Sequence, residues 1–379
     1  MIKNDLKTAW IDEIPDDWRM VRASLAVTHV ERPPLPDDEV VTCFRDGEVT
    51  LRSNRRTDGF TVSFQEIGYQ HIEEGDLVIH SMDGGWGAIG VSDSDGKASP
   101  VVHAYRSEEN DVKFIAYVLR SMAYSGYLIA QTKGIRERST QFDRKSFSNL
   151  YLPLPDLETQ RRIADYLDKE ISEMDALIEE FEGLITSLKS RRRVFAVNLV
   201  RDDQYPLVPL STIVSMNSGD SISSDVIKAN GNYPVYGGNG LRGYTNTFNC
   251  ETERVLIGRQ GALCGNVHRV QPKFFATEHA LVVKPKQNIN LIWLEHALRE
   301  MNLGELSTSV AQPGITATKV LFQRIHFPSP VEQEEIAQRL QKETAKTDAL
   351  IEESTRLIEN LKARKTALIT EVVTGRKEV

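Results

Sequence analysis

Two polar segments carry side chains of the kinds that read base edges. One is QTKGIRERSTQFDRK, spanning Gln131–Lys145, with Lys133, Arg136, Arg138, Ser139 and Arg144. The other, Thr308–Lys319, holds Ser309, Gln312 and Thr316, and Arg242, Tyr244, Arg259 and Gln260 lie earlier in the same half of the chain. Guanidinium and ammonium groups donate to guanine, amides pair with adenine, and small hydroxyls suit either. If the chain meets DNA, these twelve residues are the candidates to contact it. A solvated charged loop would use the same residue types, and Tyr244 and Arg259 also suit packing. The basic runs Lys189–Arg193 and Lys362–Lys365 fit phosphate contacts. They fit equally well a placement toward helix C-termini, where the dipole favours cations.

Other chemistries find little footing. Two stretches match G-x-G-x-x-G: Gly85-Trp86-Gly87-Ala88-Ile89-Gly90 and Gly238-Asn239-Gly240-Leu241-Arg242-Gly243. A dinucleotide site needs a helix next. VSDSDG and YTNTFN follow instead, so both read as β-turn glycines. There is no G-x-x-x-x-G-K-[ST] and no H-E-x-x-H, and the eight histidines do not cluster. His279, after Thr277 and Glu278, reads as a strand-end histidine in a hydrogen-bonded turn. No Asp/Asn-Pro-Pro-aromatic string of the adenine-methyltransferase kind is present. Cys43, Cys250 and Cys264 are odd in number, far apart and without C-x-x-C spacing, which predicts packed thiols and neither a disulfide framework nor a zinc site. The expectation is a non-catalytic chain that binds no metal.

Those candidates must be positioned by a folded body. The chain has 379 residues, 40% hydrophobic and 26% charged, as soluble multi-domain proteins do. No apolar run approaches the roughly 20 residues that span a bilayer, and the start shows no secretory pattern. The expected location is the cytoplasm. Net charge is −8, which taken alone disfavours a nucleic-acid partner. Charge is uneven, however. Residues 1–155 carry 18 basic and 24 acidic side chains, yet Lys113–Lys145 holds seven basic residues against Glu137 and Asp143. Basic faces therefore fit on an acidic chain.

An internal repeat organises everything else. Gln160–Val200 aligns without gaps to Gln333–Val373 at an offset of 173 residues, with 18 identities in 41 positions. The string Asp175-Ala176-Leu177-Ile178-Glu179-Glu180 recurs as Asp348-Ala349-Leu350-Ile351-Glu352-Glu353. Both copies lack an internal proline and are rich in Glu, Lys, Leu, Ala and Arg, so both read as long helices. The first has a heptad seam of Leu167, Ile171, Met174, Ile178, Phe181, Ile185 and Leu188. The second keeps Leu340, Ile351, Ile358 and Leu361 but is polar at Thr344, Thr347 and Ser354. That polar seam leaves room for partner helices to complete the packing. The first helix is expected from Asp156, and Ser329, Pro330 and Glu332 fit a capping box that starts the second. Gly375 suits its stop.

Charge orients the two helices. Asp165–Glu182 has eight acidic residues and one basic, and Lys189–Arg193 then supplies four basic ones. In the second helix Glu332–Glu353 has seven acidic against three basic, then Arg356–Lys365 has four basic against one acidic. Antiparallel pairing sets acid beside base. Each exposed pair is worth only a few tenths of a kcal/mol, but the sum selects the antiparallel arrangement.

The segments before the helices are β-rich. Strands are expected at Val40–Phe44, Leu77–His80 and Val101–Tyr105, with a helix at Val112–Tyr124. The second unit offers strands at Arg254–Gly258 and Ala280–Lys284 and a helix near Ile289–Glu300. Gly75-Asp76-Leu77-Val78-Ile79 matches Glu253-Arg254-Val255-Leu256-Ile257, each before a glycine-rich turn. The fold class is thus α+β. Two β-rich mixed α/β domains stand in tandem, each followed by a long helix, and the helices pair antiparallel as a coiled-coil spacer. The expected divisions are 1–155, 156–200, 201–328 and 329–379. Units that diverge while helices persist point to units that differ in specificity and helices that share one job.

The strings LPLPDLETQRRIADYLDKE and FPSPVEQEEIAQRLQKE, each after a β-rich unit, resemble the conserved regions of specificity subunits of type I restriction-modification systems. Lys133-Gly134-Ile135-Arg136, Gln312-Pro313-Gly314-Ile315 and Val235-Tyr236-Gly237-Gly238-Asn239-Gly240 resemble other stretches of such subunits. The resemblance implies that residues 1–155 and 201–328 are target recognition domains, each reading one half of a split site in double-stranded DNA. It implies that the helices space the halves and dock two methyltransferase subunits, with restriction (translocase and nuclease) subunits as further partners. S-adenosylmethionine would bind the methyltransferase and not this chain. A duplicated chain with antiparallel helices also has a pseudo-twofold relation, as duplex DNA does, and dimeric readers use that match. The alternative is a non-catalytic scaffold whose helices assemble partners and whose β units bind proteins.

Overall fold

The computed structural model describes residues 10–11, 13–55, 67–131, 142–261, 263–307 and 313–379. It divides into two compact units, Met1–Glu180 with Arg356–Val379, and Phe181–Thr355. The long helices run Leu157–Val200 and Pro330–Val373, 44 residues each, and each contributes to both units.

The first unit is built on a four-stranded antiparallel sheet in the order Thr28–Val30, Val102–Arg106, Leu77–His80, Ile89–Val91. Strand alternation sorts its side chains. Leu77 and Ile79 face Phe114, Ile115, Val118, Leu119 and Met122 of the helix Val112–Tyr124. Val78, between them, faces a second cluster with Val41, Cys43, Val49, Ile72 and Ala98 from two short strand pairs. The larger core also takes Ile163, Leu167, Ile171 and Met174 from the first long helix and Leu368, Ile369, Val372 and Val373 from the second. Each such side chain contributes roughly 1.5–3 kcal/mol on full burial, so these helix halves are part of the unit's core.

The second unit repeats the plan. Its four-stranded antiparallel sheet is ordered Val214–Ser218, Ala280–Pro285, Arg254–Gly258, Val267–Val270. In chain order both sheets read first, fourth, second, third. Val255 and Ile257 face Trp293, Leu294 and Leu298 of the helix Leu291–Arg299, together with Ala196, Val200, Ile336 and Leu340. Leu256 faces the other way, toward Phe274, Ala276 and Val282. A three-stranded sheet, Gly240–Thr245, Tyr233–Gly237 and Phe275–Ala276, lies beside it. Each unit also has a small closing pair, Arg19–Arg22 with Tyr151–Leu154 and Leu207–Pro209 with Arg324–His326.

Within each unit the helix segments run antiparallel, as charge predicts. In the first, Lys365 Nζ meets the Asp175 carboxylate at 2.6 and 2.7 Å. In the second, Arg192 pairs with Asp348. The two bridges are the same bridge under the repeat offset, Asp175 matching Asp348 and Arg192 matching Lys365. The caps also follow the sequence. Ser329 N donates to Glu332 Oε2 at 2.8 Å and Glu332 N to Ser329 Oγ at 3.4 Å. Asp156 accepts from Thr159 N and Oγ1, both at 2.9 Å. Gly375, at φ +72°, takes the left-handed turn after the second helix.

The seam is deeper in the first unit than in the second. Leu167, Ile171, Met174 and Ile178 are buried, while Phe181, Ile185 and Leu188 are half-buried. Of the second helix, Leu340 and Ile358 are buried and Ile351 and Leu361 half-buried. The polar seam corrects one expectation. Thr347 and Ser354 are already buried inside their own unit, and Ser354 Oγ donates to Leu350 O at 2.8 Å. The Ser354 hydroxyl is thus bonded back to the helix backbone, and of the three polar seam residues only Thr344 is left half-exposed.

Candidate nucleic-acid interface

In the second unit four loops converge at one end of the central sheet. Arg259 N donates to His279 O at 2.8 Å, and Ile315 N donates to Arg259 O at 2.9 Å. Gly261 N reaches Pro313 O at 3.1 Å. The turn after Tyr233–Gly237 closes on the same place, where a Cβ on Gly258 would collide with the Gly238 carbonyl. Glycine is required there because backbone meets backbone. This convergence gathers Arg259, Gln260 and Thr316 from distant parts of the sequence.

Their states differ. Gln260 is exposed, with Oε1 2.8 Å from His279 Nδ1. Arg259 is half-buried and donates to Ser218 Oγ at 2.8 Å, so it is held in place. Thr316 caps the short helix Ala317–Leu321, accepting from Lys319 N at 3.3 Å, and stays exposed. Arg242 is exposed on the strand Gly240–Thr245, against Gly237. Tyr244 is half-buried further along that strand, where its backbone pairs twice with that of Lys228 at 2.9 Å. The structure therefore brings Arg242, Arg259, Gln260 and Thr316 to the loop end and leaves Tyr244 apart.

The first unit has the same frame with different side chains. Ser81 N donates to Val101 O at 2.7 Å, and Phe142 N donates to Ser81 O at 2.8 Å. Arg144 begins the helix Arg144–Ser148, capped by Asp143, and is exposed. Lys133, Arg136, Arg138, Ser139, Ser309 and Gln312 lie outside the described residues. Near Ile129 and Phe142 stands a group that sequence reasoning missed. Arg45, 67% exposed, donates to Asp83 Oδ1 from Nε (3.2 Å) and Nη2 (2.8 Å). Its guanidinium carbon lies 6.0 Å from the exposed Trp86 ring. The Gly84–Trp86 turn packs on Ile129 and Phe142. An arginine fixed by a carboxylate is prearranged for base recognition. No local motif marks Arg45, since its partner Asp83 lies 38 residues away.

Three histidines, His29, His80 and His103, sit on neighbouring strands of the first unit, with the His29 and His103 rings 6.1 Å apart. Burial is the main cause holding all three below the usual imidazole range, and the Arg144 guanidinium adds to this for His29 and His103. Neutral imidazoles offer both a donor and an acceptor.

Three residues of the helix-borne basic runs are engaged within their own units. Lys365 is bridged to Asp175, Arg192 to Asp348, and Arg193 lies 3.6 Å from Glu300. A cleft of about 830 Å³ in the second unit is lined by Lys189, Arg192, Arg193, Arg269 and Arg299, and its four arginines pair with Glu295, Glu300 and Asp348. Among the described residues no group of three His, Cys, Asp or Glu is placed to hold a metal ion. Cys43 is buried and burial pushes its thiol up, and Cys250 and Cys264 are raised for the same reason.

Comparison with known proteins adds a family. The model of the type I restriction modification DNA specificity domain matches residues 49–182 and 204–360, one segment per repeat. The chain is 32% identical over 269 residues to the type I restriction enzyme EcoprrI specificity subunit of Escherichia coli, covering 64% of each. It is 28% identical over 142 residues to a putative type I restriction enzyme specificity subunit of Haemophilus influenzae, covering 36% of each. The matched region is thus under two thirds of either relative. A chain solved in work on complex assembly and conformational transition of the type I R-M system superposes with TM-score 0.77 at 17% identity, covering 97% of this chain and all of that one. The HsdS subunit from Thermoanaerobacter tengcongensis gives TM-score 0.55 at 17% identity, covering 97% and 99%. At that identity these two likenesses concern the fold.

Proposed function

The chain belongs to the type I restriction modification DNA specificity family, and we propose that it is the DNA-reading, non-catalytic subunit of a type I restriction-modification complex. Each globular unit reads one half of a bipartite, asymmetric duplex site. The long helices set the spacer and dock two methyltransferase subunits, with restriction subunits as further members of the assembly. S-adenosylmethionine binds the methyltransferase, and the complex works in the cytoplasm. Among the described residues no helix is long and apolar enough to cross a membrane.

One observation carries this reading. The two units share a strand order, a loop frame and a mirrored helix bridge, yet differ in the side chains held at the loop end. A duplicated frame with unlike reading groups suits a site with two unlike halves. In the first unit the proposed reading groups are Lys133, Arg136, Arg138, Ser139 and Arg144, to which we add Arg45. In the second they are Arg242, Arg259, Gln260, Ser309, Gln312 and Thr316. Lysines and arginines that meet phosphates position the duplex, and those that meet base edges specify it.

The test is duplex binding by the assembled complex across a salt series. Phosphate contacts release counterions, so log affinity should fall linearly with log salt. A complex that binds partner proteins and no duplex at low salt would replace this reading with the scaffold.

A further inference from the structure

The repeated entry to each long helix contains a glutamine, Gln160 and Gln333, that the reading above does not use. Both are almost fully buried, 1% and 0% exposed. Gln160 Nε2 donates to Pro155 O at 2.9 Å and to Asn110 Oδ1 at 3.0 Å, while its Oε1 accepts from Asp111 N at 2.9 Å. Gln333 Nε2 donates to Pro328 O at 2.9 Å, while its Oε1 accepts from Asn290 N at 3.0 Å. Pro155 and Pro328 lie just past the last strands of their units, Tyr151–Leu154 and Arg324–His326. Asp111 and Asn290 are the N-caps of the sheet-packing helices. In each unit one amide therefore ties three elements together: the strand exit, the start of the packing helix and the first turn of the long helix.

The neighbouring residues vary between the copies. The long-helix cap is Asp156 in one and Ser329 in the other, and the packing-helix cap is Asp111 or Asn290. The glutamine and its two backbone partners do not vary. Apolar contacts around it, Ile163 and Leu167 or Ile336 and Leu340, are non-directional and tolerate small rotations. An amide that must donate to one carbonyl and accept from one N–H is directional. In so buried a site, tilting the unit on the helix would leave both backbone groups unpaired.

We infer that Gln160 and Gln333 are positioning residues that fix the angle at which each globular unit is mounted on its long helix. The inference rests on the reading of the units as half-site readers. A spacer changed by one base pair moves the second half-site by about 3.4 Å and turns it by roughly 36°. A rigid mount rejects such sites, and a loosened one accepts them.

The experiment uses the assembled complex with wild-type chain, Gln160→Met, and separately Gln333→Met. Methionine keeps similar length and removes the hydrogen bonds to both backbone groups, and in Gln160→Met the one to Asn110 as well. Methylation is measured on duplexes carrying the native spacer, one base pair fewer and one more. The expected result is that each variant keeps both half-site sequences while its preference for the native spacer drops roughly tenfold, a change of about 1.4 kcal/mol. Unchanged spacer preference in both variants overturns the inference. So does failure of both variants to assemble, since a mount that only sets an angle is not needed for folding. If the wild-type complex methylates no bipartite site, the DNA-reading proposal itself falls, and this one with it.

Discussion

The two units are alike where each meets its long helix and unlike where its sheet ends in loops. At the junction the same glutamine makes the same backbone bonds, and the core beside it is filled by the matching pairs Ile163 and Ile336, Leu167 and Leu340. At the loop end the backbone frame persists, with Phe142 N bonded to Ser81 O as Ile315 N is to Arg259 O. The side chains there are different. The first unit offers Arg45 beside Trp86 and Asp83, and the second offers Arg259 on Ser218 beside Gln260 and His279. Junction chemistry serves packing and is held by it, whereas loop side chains face solvent and change without cost to the core.

If that division is real, moving the loops should move specificity and leave the mount intact. Exchanging residues 1–150 for those of a relative should replace one half of the recognised site and leave the other untouched, as read by sequencing methylated DNA. Replacement of both halves would break the comparison. At the junction, Leu167→Ala and Leu340→Ala, each fully buried, should both destabilise by about 2–5 kcal/mol. Ile185→Ala, half-buried along the same helix, should cost clearly less in the same denaturant titration. Equal losses at all three would deny the junction its special depth.

The junction was legible in the sequence and much of the loop end was not. The 173-residue repeat, the capping box at Ser329 and Glu332, and the charge blocks pointed to two antiparallel helices, because helix signals are local and periodic. Val112–Tyr124 and Leu77–His80 matched the structure within their stated bounds for the same reason. Gln160 and Gln333 stood in the alignment as an identity, but burial of an amide leaves no periodic trace. Arg45 with Asp83, and Arg259 with Ser218, are meetings over tens of residues. Only the fold makes such pairs neighbours.

Smaller effects sharpen the contrast. Arg136→Ala with Arg138→Ala, or Arg45→Ala, should weaken duplex binding by about 1–3 kcal/mol if the removed group reads a guanine. The altered preference should be confined to the half-site of the first unit. Unchanged affinity and preference would remove those residues from the interface. The weakest signal is pH. His29, His80 and His103 in the first unit, and His268 and His296 in the second, are all held below the usual imidazole range, chiefly by burial. Between those lowered values and about 6.5 the unfolded chain binds more protons. The contribution of these histidines to stability should therefore be level above about pH 6.5 and fall as pH drops below it. His103→Gln should flatten part of that slope in thermal unfolding, and an unchanged slope would show that His103 does not contribute.

The central claim is that two unlike units on one duplicated frame read two unlike halves of one DNA site. Its most direct test is methylome sequencing of a strain carrying this gene, compared with the same strain after its deletion. The account predicts the loss of a single methylated motif made of two different short sequences separated by a fixed unread spacer. An unchanged methylome, or the loss of a motif whose two halves are identical, would contradict it.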